Sequence, residues 1–326
     1  MWLAAGLLLL VALALVAFRL AAAFRESESR TAAAPPTGRF VPAADVEVYV
    51  QETGPADGAP VLLVHGTGAW SEIWRQTMQA VAAAGYRCIA VDMPPFGFSE
   101  RPAPADYGDE AQARRILGVL DALELPRAVL VGHSFGGRPT VEATFLAPER
   151  VRALVLVDAA LDVHDAGRPR KATPAWLARL LSVAPLRNTL VAATVTNPLM
   201  TRQLLLPLIA TPSAATDERV AMFQRPFVVS GSTSAVGEWL APFVTRHERS
   251  RSTEVPRYAS LTMPTLVLWG DRDEITPPAQ GRHIASLIPG AELVVLPTAG
   301  HIPAIEDPAR FNAALVDFLV RRVPVR

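Results

Sequence analysis

Seven short runs dominated by Val, Leu, Ile and Ala, at residues 46–51, 61–64, 87–91, 128–131, 153–157, 265–269 and 292–296, alternate with longer stretches of helical periodicity. Most of these runs lack the every-second-residue alternation of a half-exposed sheet, which is the pattern of parallel strands covered by helices on both faces. The spacing predicts helices over 71–84, 110–123, 136–145, 279–287 and 308–321, the last opening with a favourable first-turn proline, Pro308. A chain with this rhythm is expected to form an α/β fold around a mostly parallel sheet.

One interval breaks the rhythm. About a hundred residues separate the run ending at Val157 from the run beginning at Thr265, far more than a crossover needs. This insertion, residues 161–257, carries helical stretches at 174–181, 198–209 and 217–227 with prolines between them, so a helical cap is expected over a core made of residues 42–160 and 258–326. Its apolar side chains Trp176, Leu177, Leu180, Leu181, Leu190, Val191, Leu199, Met200, Leu204, Leu205, Phe223 and Trp239 either face a pocket or pack the cap on the core.

The N-terminus reads as a membrane segment. Trp2 to Phe18 is an unbroken apolar run, Arg19 interrupts it, and residues 20–24 extend it to the length of about 20 residues that a span needs. A single-pass anchor over residues 1–24 is therefore expected, with a cleaved signal peptide ending at Ala21-Ala22-Ala23 as the alternative. Arg19, Arg25 and Arg30 follow the run and no basic residue precedes it, which favours a cytoplasmic catalytic domain. Residues 25–41, rich in Ser, Ala, Pro and charge, read as a linker.

Composition removes several function classes. Lys and Arg together number 31, as do Asp and Glu, and no basic run or aromatic-basic stripe gives a footprint for nucleic acid. One cysteine and six histidines offer neither a disulfide nor zinc-ligand spacing, and Cys88, inside a strand run, is expected to be a buried small hydrophobe. No phosphate-cradling or dinucleotide-binding glycine loop is present, so neither cofactor nor metal is expected.

The strongest chemical signal is Gly132-His133-Ser134-Phe135-Gly136-Gly137, directly after one strand run and before a helical stretch. A sharp strand-to-helix turn needs small residues at 132 and 136 and would present the Ser134 hydroxyl at the top of the sheet. Serine is a poor nucleophile at neutral pH, so it needs a histidine base oriented by a carboxylate. The run 265–269 leads into Gly270-Asp271-Arg272-Asp273, and the run 292–296 leads to Thr298-Ala299-Gly300-His301, which gives the chain order Ser, Asp, His.

From about residue 42 onward the chain resembles the α/β-hydrolase fold family, with His65-Gly66-Thr67-Gly68, Asp92-Met93-Pro94-Pro95-Phe96-Gly97-Phe98-Ser99 and Glu306-Asp307-Pro308 as further points of likeness. The resemblance implies Ser134 as nucleophile, Asp273 as acid, His301 as base, and the backbone N–H groups of Thr67 and Phe135 as oxyanion hole. Asp271 and Asp158 are the competing carboxylates. His65 and His133 are expected to brace the oxyanion and elbow loops, whereas His164, His247 and His283 lie in no motif.

A serine at the elbow disfavours the dehalogenase and epoxide hydrolase chemistries of this family, which use aspartate there. The expected activity is hydrolysis of a carboxylic ester through an acyl-enzyme, as in carboxylesterases and lipases. Anchor and apolar cap together point to a small, lipophilic ester. The alternatives are a carbon–carbon bond hydrolase of ring-cleavage products, against which Ile302 stands where those enzymes typically carry tryptophan, and a ligand-binding or accessory protein without turnover.

Overall fold

A computed structural model describes residues 2–103, 105–163, 173–245 and 250–325; His164 and His247 lie outside them. Eight strands, β1 (Gly38–Ala43), β2 (Val46–Thr53), β3 (Pro60–Val64), β4 (Arg87–Val91), β5 (Ala128–His133), β6 (Val151–Val157), β7 (Thr265–Gly270) and β8 (Glu292–Leu296), form one sheet. Its order is β1-β2-β4-β3-β5-β6-β7-β8. β1 and β2 run antiparallel, β2 pairs antiparallel with β4, and the remaining pairs are parallel.

The central strands β3 to β7 are almost wholly apolar because both faces are covered. Along β3, Val61 and Leu63 pack with Met78 and Val81 of the Arg75–Ala83 helix and with Phe311, Leu315 and Phe318 of the Pro308–Arg322 helix. Their neighbours Leu62 and Val64 point the other way, onto Ile116, Val119 and Leu120 of the Asp109–Ala122 helix. The period of two therefore separates two cores rather than core from solvent. Cys88 sits fully buried within the first of them, where burial raises its thiol pKa.

Between β6 and β7 the described residues hold only helices and short 3-10 turns, including the α-helices Ala175–Ser182, Ala184–Ala193, Thr201–Leu205, Asp217–Gln224 and Ser232–Thr245. This is the cap expected from the long interval.

Two expectations for the N-terminal region are corrected. Residues 38–41 do not belong to a linker: they open β1, whose Pro42 is tolerated because β1 is an edge strand. Residues Trp2–Arg25 do form a helix, but among the described residues no helix is long and apolar enough to cross a membrane, so the single-pass anchor and the membrane localisation drawn from it are withdrawn. The end of that helix belongs to the folded body. Ala22 is completely buried, the helix packs against the Ala184–Ala193 helix of the cap, and Glu26 accepts hydrogen bonds from the Thr233 backbone N–H and hydroxyl. The following residues continue the contact, with Glu28 N–H donating to Val228 O at 3.1 Å and Ser230 N–H to Glu28 O at 2.8 Å.

Candidate active site

Parallel strands end on the same edge of the sheet, so the loops after β3, β5, β7 and β8 converge there. Ser134 follows β5 directly and adopts φ +50°, a left-handed conformation that a non-glycine residue enters only when its surroundings hold it. The small residues flanking it are needed for contact rather than flexibility. A Cβ on Gly132 would lie 2.6 Å from Thr140 Oγ1, and one on Gly136 would lie 2.5 Å from His65 O.

Ser134, His301 and Asp273 meet although they are far apart in the chain. Ser134 Oγ lies 2.7 Å from His301 Nε2, and His301 Nδ1 lies 2.8 Å from Asp273 Oδ2. All three are buried. Asp273 Oδ1 accepts the N–H groups of Ile275 at 2.8 Å and Thr276 at 3.0 Å, while Thr276 Oγ1 donates to Oδ2 at 2.5 Å. Burial works against the charge on Asp273, but the hydrogen bond and charge of His301, with the Thr276 bonds, outweigh it and hold the carboxyl below its ordinary value. A carboxylate on Nδ1 directs the lone pair of Nε2 at the serine hydroxyl, the arrangement that general-base removal of that proton requires.

Neither competing carboxylate bonds His301 among the described residues. Asp271 is exposed. Asp158, at the end of β6, accepts the Gly270 N–H at 2.8 Å, and burial, reinforced by the nearby Asp273, raises its pKa well above the ordinary value. It makes no contact with His301 among the hydrogen bonds of the described residues.

His65 and His133 brace the surrounding loops. His65 Nδ1–H donates to Gly66 O at 2.7 Å while its Nε2 accepts the Met93 N–H at 2.9 Å, which fixes a neutral tautomer, and burial lowers its pKa to about 4. His133 Nε2–H donates to the carbonyl of His301 at 2.7 Å, and its pKa falls to about 3, mainly through burial. Two further residues were present in quoted motifs but had no assigned role. Glu306 accepts N–H groups from Ala210 (2.7 Å), Thr211 (3.1 Å), Gly300 (3.0 Å) and Ile302 (3.2 Å), tying the loop of His301 to the cap. Asp92 accepts from Ser71 N–H at 2.7 Å and Phe98 N–H at 2.8 Å, and burial lifts its pKa to about 6. Thr276 had no sequence signal at all, because a Thr three residues after an Asp is unremarkable until the loop folds back on the carboxylate.

Ser134 and His301 open on a cavity of about 360 Å3. Thr67 and Phe135 line it beside them. The cap contributes Leu204, Leu205, Leu208, Phe223 and Phe227, and the core contributes Ile73, Ile275 and Ile302; no Arg, Lys, Asp or Glu lines it among the described residues. Of the cap side chains singled out by sequence, only Leu204, Leu205 and Phe223 reach this cavity. Leu181 and Val191 are packing residues, and Trp176 and Leu199 are exposed.

Comparison with known proteins places this geometry. The profile of the alpha/beta hydrolase fold matches residues 59–308. The chain is 31% identical over 295 residues to a 2-hydroxymuconate semialdehyde hydrolase of Pseudomonas sp. strain CF600, covering 87% of this chain and 94% of that protein. It is 30% identical over 269 residues to Lipase 1 of Psychrobacter immobilis, covering 80% and 77% respectively. A crystallised meta-cleavage product hydrolase of Pseudomonas fluorescens IP01 superposes with a TM-score of 0.70 at 26% identity, covering 87% of this chain and 98% of that one.

Proposed function

Because the chain belongs to the α/β-hydrolase fold family, we propose that it is a serine hydrolase in which Ser134 attacks a carbonyl carbon of an apolar substrate. The observation that carries this reading is the pair of contacts joining Ser134 Oγ to His301 Nε2 and His301 Nδ1 to Asp273 within an apolar cavity. As Oγ bonds to the carbonyl carbon, its proton passes to His301 Nε2, and Asp273 stabilises the resulting imidazolium. The negative charge that develops on the carbonyl oxygen is met by the N–H groups of Thr67 and Phe135. Collapse of the tetrahedral species expels the leaving group, which takes the proton from His301. Water, deprotonated by the same histidine, then releases the acyl group from Ser134. None of these steps calls for a metal or cofactor.

For the bond that breaks, a carbon–carbon bond in a ring-cleavage product is the first reading, supported by the relatives. Two of the three similar proteins are named as hydrolases of 2-hydroxymuconate semialdehyde and of a meta-cleavage product. Hydrolysis of a lipophilic carboxylic ester is the second reading, favoured by the cavity and by the lipase relative. A muconate-type substrate brings a carboxylate, and burying a carboxylate against Leu, Ile and Phe without a cationic partner is costly. With the membrane span withdrawn, the lipophilic character of the substrate rests on this cavity and the lipase relative.

Intact-mass analysis after exposure to a fluorophosphonate tests the nucleophile. A single adduct that disappears in Ser134→Ala is expected, and an unmodified wild-type protein would overturn the reading. Comparing kcat/KM for 2-hydroxymuconate semialdehyde with that for a series of p-nitrophenyl esters separates the two bonds. Preference for the semialdehyde supports carbon–carbon hydrolysis, and a preference for medium-length esters supports the esterase.

A further inference from the structure

Residues 26–35 run from the end of the N-terminal helix across the cap to the edge of the sheet, and they are held at both ends. On the sheet, the Arg30 guanidinium pairs with Glu47 and lies 4.6 Å over the Phe40 ring, and the Tyr49 hydroxyl donates to Pro35 O at 2.7 Å. On the cap, the segment meets the turn between Phe227 and the Ser232–Thr245 helix. Glu28 pairs through its backbone with Val228 and Ser230, and the Glu26 carboxylate accepts from the Thr233 N–H at 3.2 Å and from the Thr233 hydroxyl. From the core side, Arg101 Nη2 donates to Gly97 O at 2.6 Å and to Pro226 O at 3.5 Å, so the turn is pinned from two directions.

Thr233 is the second residue of its helix. Its N–H belongs to the first turn, where no carbonyl of the helix itself can accept it, and a carboxylate there also meets the positive end of the helix dipole. Glu26, 207 residues away in the chain, supplies that acceptor and that charge. The same helix carries two aromatic rings to the active site. Trp239 packs edge-on against Phe135, the residue after Ser134, at 5.4 Å between ring centroids. Phe243 stacks on Trp239 at 4.6 Å and lines the main cavity, as does Phe227 on the other side of the pinned turn. From Thr233 to Trp239 the helix is a rigid rod of about 9 Å, at 1.5 Å per residue, so a shift at Thr233 carries to Trp239 and to the ring stacked on it.

We infer that Glu26 is a positioning residue for the cap wall: its carboxylate, tied to the sheet by the segment that follows it, fixes the helix that carries Trp239 and Phe243 and so sets the width of the main cavity. This rests on the reading of that cavity as the place where Ser134 holds its substrate. Glu26 does not line the cavity and acts only through Thr233. The N-terminal segment is thereby part of the framework of the binding site, and substrates that fill the cavity depend on it more than substrates that do not.

The test measures kcat and KM for p-nitrophenyl octanoate and for p-nitrophenyl acetate, whose chain is too short to fill the cavity, in the full-length protein. Glu26→Ala is expected to lower the octanoate-to-acetate ratio of kcat/KM about fivefold, chiefly through KM for octanoate, and Glu26→Gln, which keeps an acceptor but not the charge, by a smaller factor. Thr233→Val, which keeps the N–H but loses the hydroxyl, should lower the same ratio, and should add less in the Glu26→Ala background than it does alone. An unchanged ratio in both Glu26→Ala and Thr233→Val overturns the assignment, and so does an equal loss for the two esters, the mark of general loosening. If Glu26→Ala does not fold, Thr233→Val decides alone. Affinity for octan-2-one, measured by calorimetry in the Ser134→Ala background, separates the assignment from the reading it rests on. Binding that weakens with Glu26→Ala, in a protein whose wild type turns over neither ester and takes no fluorophosphonate adduct, would uphold Glu26 and remove the nucleophile. Turnover with a ratio indifferent to Glu26 would do the reverse.

Discussion

The two walls of the main cavity are built by different means. The core wall stands on strand ends: Ser134, His301, Asp273, His65 and His133 are all buried, and each is held by hydrogen bonds to backbone or to one another. The cap wall is a set of short helices whose cavity-lining side chains range from buried, Leu205, Phe223 and Phe227, to exposed, Leu204 at 41% and Phe243 at 47%. It is fastened to the core at a few points, among them the Glu306 carboxylate and the bond from Trp70 Nε1 to Met222 O at 2.8 Å. Chemistry needs positions fixed to a fraction of an ångström, and strand ends in a doubly covered sheet provide that. Recognition of an apolar arm needs only volume, which a looser helical wall can supply and vary.

This division makes ordered predictions. Ser134→Ala should lower kcat by about 10^6-fold with an unchanged melting temperature; a residual rate above a hundredth of wild type would show that the core wall does not hold the nucleophile. Asp273→Asn should lower kcat by about 10^4-fold, since the amide can no longer hold the tautomer of His301 or stabilise its charge. If Asp158 served as the acid instead, the loss would appear in Asp158→Asn.

Acid should attack the core wall through its buried histidines. The folded-state pKa of His65 is depressed from 6.5 to about 4, so its contribution is fully present above pH 6.5 and is lost as the pH falls through about 4. Asp92, whose pKa burial raises to about 6, acts with the opposite sign over the same range, so the His65 share, about 3 kcal/mol, should be read as the difference between the stability that wild type and His65→Gln lose in denaturant unfolding. His133 extends the same loss toward pH 3. A smaller effect is expected where the two walls join. Glu306→Gln keeps the shape but removes the charge that four N–H groups share, so kcat should fall by about tenfold and hydrogen exchange at Ala210 and Thr211 should speed up. The smallest change should come from the cap itself: Leu204→Ala is expected to shift acyl-chain preference by about fivefold, read as kcat/KM across a homologous ester series, with kcat for short chains little altered. A large loss for every chain length would mean that the cap also positions the catalytic groups.

Much of the core wall could be read from residues adjacent in the chain. The elbow is a local motif, and its glycines are constrained by contacts within a few residues or with the neighbouring strand, as the 2.6 Å approach to Thr140 Oγ1 illustrates. Strands β3 to β7 were visible because burial on both faces leaves nearly continuous apolar runs, and β2 and β8 because Val and Leu dominate their middles. β1 was not, because an edge strand reading Gly-Arg-Phe-Val-Pro-Ala has the composition of a linker and becomes a strand only by pairing with β2. The N-terminal run misled for a related reason. Its helix is not long and apolar enough to cross a membrane, and its end, at the buried Ala22, is engaged by the cap.

By itself, then, the amino-acid sequence determined the alternation of strands and helices, the place of the insertion and the candidates Ser134, His301 and Asp273, the last with Asp158 and Asp271 as rivals, because periodicity and short-range sterics are written in neighbouring residues. Only the tertiary structure decided which carboxylate faces His301, which cap side chains line the cavity, and that Glu26 meets the start of the helix that carries Trp239 and Phe243. Those are contacts between segments far apart in the chain, set by how helices pack on a sheet, and no local pattern encodes them.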